Sequence, residues 1–173
     1  DADLDLAVNN TVWGAFMHQG QICMASSRIF VHAKIADEFT KRLAAHAAHL
    51  PVGDPASGQV ALGPVINAKQ LERVRGIVAD SVKAGAKIET GGKAKDLFHE
   101  ATVLSGVKPG MRAFDEETFG PVANIIVFKT DEEALELAAS RRPDVVLLAL
   151  GLPGLDGLEG ISSLRAWSQV PIL

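Results

Sequence analysis

Val122-Ala-Asn-Ile-Ile-Val-Phe128 is a nearly continuous apolar run. A strand covered on both faces reads this way, whereas a strand with one wet face alternates. On its C-terminal side Thr130-Asp-Glu-Glu133 has capping-box spacing and opens a helix to about Ala139. Upstream, helical patterns alternate with short strands. Asp3 caps a helix to about Gln19, with Leu4, Val8, Val12 and Phe16 four apart and Gly20 as its stop. Arg28 to His32 reads as a strand. Ile35, Phe39 and Leu43 mark the apolar face of a second helix ending before Pro51. A loop follows to Gly63, then a third helix with Asn67 as cap, Leu71, Val74, Val78 and Val82 on one side, and Gly85 closing it. Lys87 to Glu89 and Thr102 to Leu104 are strand candidates around a turn at Gly91-Gly92. Helices interleaved with buried strands predict an α/β fold, a layered, mostly parallel sheet with flanking helices.

The totals narrow the function classes. The 173 residues suit one domain, or one with a small appendage. Net charge is −4 with mixed signs and no basic cluster, which argues against nucleic-acid binding. No apolar run approaches the ~18 residues of a membrane span. The opening Asp-Ala-Asp-Leu-Asp lacks the features of a signal peptide, so a cytoplasmic location is expected. One cysteine excludes an internal disulfide. His46 and His49 have a spacing that can bind metal, but with no third ligand nearby in sequence they read as a solvated face, and no metal site is expected.

That cysteine, Cys23, lies in Gly20-Gln-Ile-Cys-Met-Ala-Ser-Ser27, where the helical pattern gives out and the strand pattern begins. A thiol in such a connection is exposed beside backbone N–H groups that can stabilise an oxyanion. Chemistry alone leaves it open between a nucleophile and the commoner small buried hydrophobe.

Two blocks carry a resemblance. Trp13-Gly-Ala-Phe16 through Gly20-Gln-Ile-Cys23 to Ser27-Arg28 resembles the active-cysteine segment of the aldehyde dehydrogenase superfamily, and Glu116-Glu-Thr-Phe-Gly-Pro-Val122 is similar to its cofactor-contacting motif. The resemblance covers about residues 1–139. It implies the catalytic-domain fold of that family and a small-molecule aldehyde as substrate, oxidised to the acid through a thiohemiacetal on Cys23. It also implies NAD or NADP as cofactor, with Glu117 holding the nicotinamide ribose, Phe119 flanking the ring and the Cys23 N–H in the oxyanion hole. The family's cofactor-binding half, general-base glutamate and oxyanion asparagine are expected before Asp1. The chain alone is therefore expected to be inactive and to bind no cofactor.

After Ala139 the text changes. Arg141-Arg-Pro-Asp-Val-Val-Leu-Leu-Ala-Leu150, Gly151-Leu-Pro-Gly-Leu-Asp-Gly157 and the remainder to Leu173 resemble part of a Kdp-type response-regulator receiver domain. In that family an acceptor aspartate stands where this chain has Ala149, which can neither take phosphate nor ligate Mg²⁺. The economical reading is a chimera in which a receiver-derived βαβ unit (145–150, 158–167, 170–173) completes the sheet of the same domain. A folded scaffold without activity and a degenerate phosphorelay receiver are the other readings. An unpaired sheet edge and a hinge near Ala139 to Pro143 predict a homo-oligomer.

Overall fold

The computed structural model describes residues 3–130, 132–134, 136 and 162. Among the described residues, helices α1 (Leu4–Phe16), α2 (Ala36–Ala48), α3 (Ala68–Lys83) and α4 (Arg112–Asp115) accompany six strands. The strands are β1 (Arg28–His32), β2 (Lys87–Thr90), β3 (Ala94–Lys95), β4 (Phe98–His99), β5 (Thr102–Ser105) and β6 (Val122–Phe128).

Two helices start where the caps predict. The Asp3 carboxylate accepts from Leu6 N at 3.0 Å, and the Asn67 side chain accepts from Gln70 N at 2.9 Å, each satisfying a donor the first turn leaves free. At the other expected cap, Glu133 N donates to Thr130 Oγ1 at 3.2 Å, while the Glu133 carboxylate reaches back to Lys129 N at 2.8 Å.

The sheet runs β1-β6-β5-β2, with β6 parallel to both neighbours and β2 antiparallel to β5. It is therefore mixed rather than simply parallel. No crossover helix separates β2 from β5, so the chain returns alongside itself. The pleat of β6 explains its apolar run. Ala123 and Ile125 pack on one face with Val8, Phe39 and Leu43, while Val122 and Ile126 pack on the other with Val74, Ile77 and Phe114. Covering ends at Val127, which is 42% exposed.

Several expectations need correction. The α-helical part of α1 stops at Phe16, and across Met17–Gly20 the chain kinks into left-handed backbone. Ile35 precedes α2 and is 44% exposed; Ala36 and Ala47 join Phe39 and Leu43 on the buried face instead. Val82 is exposed and Ile77 and Ser81 take the inward positions on α3, because a 3.6-residue turn drifts off a strict four-residue ladder. The β3–β4 hairpin, two residues per strand, was too short to register as a pattern.

Among the described residues no helix is long and apolar enough to cross a membrane. The expected βαβ unit of residues 140–173, residue 162 apart, the hinge at Ala139 to Pro143 and Ala149 lie outside the described residues.

Candidate active site

The Cys23 loop begins with a reversal of hand. His18, Gln19 and Gly20 have φ of 51°, 57° and 63°, three successive left-handed residues that turn the chain off the end of α1. Non-glycine residues pay about 1–2 kcal/mol each for that conformation, so the surroundings must hold it. At Gly20 there is also no room, since a Cβ would lie 2.1 Å from the carbonyl oxygen of Gly120. The two sequence blocks thus meet backbone to backbone.

Both arms of the loop are tied down. Gln21 Oε1 accepts from Ile66 N at 3.0 Å, and Ala25 N donates to Ile22 O at 3.0 Å. Ser26 N donates to Gly14 O at 2.9 Å, where a Cβ on residue 14 would come within 3.0 Å of Ser26 Oγ. The Ser27 carbonyl accepts from Asn124 N at 3.0 Å as β1 enters the sheet. Between these anchors Cys23 is exposed, and its N–H donates to no backbone acceptor among the described residues.

The second block separates two adjacent carboxylates. Glu116 is gripped by Arg112, with bonds of 2.7 and 3.2 Å, and lies 3.3 Å from Arg73. The Arg112 guanidinium holds its carboxyl below the usual carboxylate range. Arg112 also reaches Asp80 at 2.7 Å. Glu117, with its neighbour so occupied, is exposed. Phe119 adopts φ 49° and its carbonyl accepts from Gln70 Nε2 at 2.7 Å, while Thr118 O takes a longer bond of 3.2 Å from the same group.

The loops enclose a cavity of about 270 Å³ whose walls include Cys23, Glu117 and Phe119, with Gly20, Ser27 and Arg28. All three residues singled out in the sequence therefore share one cavity. They offer a ligand in this cavity a thiol, a carboxylate and a half-buried aromatic ring. Sequence reasoning missed Gln70, whose signal would have been its place three residues after the Asn67 cap, and the Gly20–Gly120 approach, which has no local signature. His46 and His49 are exposed, and the His49 ring bonds the Ala45 carbonyl at 2.6 Å. Among the described residues no cluster of three or more His, Cys, Asp or Glu is placed to hold a metal ion.

The model of the aldehyde dehydrogenase family matches residues 1–142. The chain belongs to that family. Among curated aldehyde dehydrogenases, it is 48% identical to vanillin dehydrogenase of Amycolatopsis sp. over 162 residues, which is 94% of this chain and 33% of that protein. It is 51% identical to the NAD(+) benzaldehyde dehydrogenase of Pseudomonas putida over 138 residues, 80% of this chain and 28% of that one. The chain thus spans about a third of the length of these aldehyde dehydrogenases. A solved salicylaldehyde dehydrogenase from Pseudomonas putida G7, complexed with salicylaldehyde, superposes with a TM-score of 0.83 at 38% identity, over 99% of this chain and 36% of that one. The vanillin dehydrogenase match covers more of this chain than residues 1–142 can account for, so it continues into the stretch for which a receiver-domain origin was expected, and none of these comparisons shows that origin.

Proposed function

We propose that this chain is the thiol-bearing part of an NAD(P)-dependent aldehyde dehydrogenase acting on aromatic aldehydes, with Cys23 as nucleophile. The observation that carries the reading is the convergence of Cys23, Glu117 and Phe119 on one cavity from blocks almost a hundred residues apart. The substrate class is supported by relatives named for vanillin, benzaldehyde and salicylaldehyde.

In this reading the Cys23 thiolate attacks the carbonyl carbon. A C–S bond forms, the π pair moves to oxygen, and the Cys23 N–H donates to that oxygen as the thiohemiacetal forms. A nicotinamide cofactor, when bound, supplies a hydride acceptor. Glu117 would accept from its ribose hydroxyls, and Phe119 would lie against its ring. Glu116 cannot exchange roles with Glu117 without releasing Arg112 and Arg73. With the family's general-base glutamate and oxyanion asparagine expected upstream of Asp1, the chain by itself should capture aldehyde without sustained oxidation. A lost general base costs about 10²–10⁴-fold.

Alkylation of the native chain with iodoacetamide tests this directly. Cys23 should label without denaturant, and benzaldehyde should slow the labelling in a saturable way. Cys23→Ser should remove both signals. Labelling that appears only after unfolding would sink the assignment.

For residues 140–173 the receiver-derived reading rests on the resemblance of Arg141 to Leu173, with its signature between Pro143 and Gly157. It predicts a packed βαβ segment that takes no phosphate, because Ala149 stands at the acceptor position. Incubation with acetyl phosphate and Mg²⁺ should leave the mass unchanged; an acyl-phosphate adduct within 144–157 would overturn it.

A further inference from the structure

Asn124 is the one polar side chain in β6, and it is fully buried. Its strand neighbours on the same face, Val122 and Ile126, pack with Val74 and Phe114. An amide in such surroundings is unfavourable unless its donors and acceptor are all used. Here they are not. Nδ2 donates to Ser27 O at 2.9 Å, but Oδ1 has no partner among the described residues. The Ser27 carbonyl already accepts from Asn124 N at 3.0 Å, which is the bond the parallel β1–β6 pairing requires. The side-chain bond is therefore surplus to the sheet. An apolar residue of the same shape would keep the pairing and remove the orphaned oxygen.

We propose that Asn124 is a positioning residue for the Cys23 loop, holding the Ser27 carbonyl a second time from inside the sheet. Ser27 lines the thiol cavity and closes the loop four residues after Cys23. Its partner strand has Arg28 opposite Asn124 in register, and Arg28 also lines the cavity. A doubly bonded carbonyl at this junction restricts rotation of the peptide that joins loop to strand. The sulfur is then held between this anchor and the Gly20–Gly120 approach on the other arm. A site residue kept at the expense of stability is what a functional position looks like in an otherwise apolar strand. The chemical purpose of this hold rests on Cys23 being the nucleophile; the hold itself does not.

Two variants test it in the full chain. Asn124→Leu deletes the donor and the orphaned acceptor together, and Asn124→Asp keeps the shape but sets an oxygen against the Ser27 carbonyl. Asn124→Leu should melt at the wild-type temperature or higher. Its Ser26 amide exchange and its Cys23 alkylation should both change by about 2- to 10-fold, the weight of one hydrogen bond. Asn124→Asp should show the same change in alkylation with a lower melting temperature. A lower melting temperature for Asn124→Leu with unchanged alkylation would make Asn124 a structural residue, and no change in either readout would leave it without a role; both overturn the proposal. Benzaldehyde protection of wild-type Cys23 is read separately. Its absence would remove the nucleophile assignment while leaving the exchange and alkylation comparison intact.

Discussion

Gly20 shows how much one residue can decide. Its φ of 63° and the Gly120 carbonyl 2.1 Å from a would-be Cβ leave alanine two obstacles, one conformational and one steric. The first costs about 1–2 kcal/mol, and relief of the second must push the two motif loops apart. Gly20→Ala should lower stability by about 3 kcal/mol or more, read from the urea midpoint, and abolish aldehyde protection of Cys23. A wild-type midpoint would show that the loops are looser than the contact implies. His99 makes a different statement. It is buried in β4, its Nδ1 is 2.8 Å from the Glu100 carbonyl, and burial pushes its pKa below the ordinary 6.5. The unfolded chain therefore binds this proton more readily. The His99 contribution is complete above pH 6.5 and is lost as pH falls from there toward the depressed folded value. Below pH 6.5, until the depressed folded value is reached, His99→Asn should flatten the stability-versus-pH slope by up to ~1.4 kcal/mol per pH unit. An unaltered slope would mean the ring is not the titrating group.

At the scale of elements, the caps and the central strand were readable because their causes are local. Asp3, Asn67 and the run Val122 to Phe128 each declare a boundary through chemistry that acts over a few residues. Asn67→Ala should cost about 1 kcal/mol in thermal unfolding. Leu43, fully buried on α2 in the core cluster it shares with Val31 and Val103, should cost about 2–5 kcal/mol when cut to alanine. A larger effect for the cap than for Leu43 would contradict this division. The misjudged positions were those where periodicity was extended too rigidly, as at Val82 and Ile35, or where the element was shorter than any period, as in the β3–β4 hairpin. The site was legible as residue types but not as an arrangement. Residue type does not separate Glu116 from Glu117, and only the family motif singles out Glu117; Arg112 and Arg73, brought in by α4 and α3, show that Glu116 is already engaged.

For the whole molecule, β2 has a single neighbour among the described residues, and Ile88 on it is 43% exposed, as is Val127 at 42% on β6. Exposed apolar side chains beside an open edge are normally covered by another chain, so we expect a homo-oligomer. Light scattering should give a mass well above 18.3 kDa at micromolar concentration; a mass that stays there as concentration rises would refute it. The pairing of β1 also sets a timetable. Its only partner among the described residues is β6, and the Ser27–Asn124 bond spans 97 residues. On a ribosome moving at about 5–20 residues per second, the cysteine strand waits roughly 5 to 20 seconds for the strand that will hold it. Throughout that interval Cys23 is a thiol on an unpaired segment, open to oxidants and to other nascent chains.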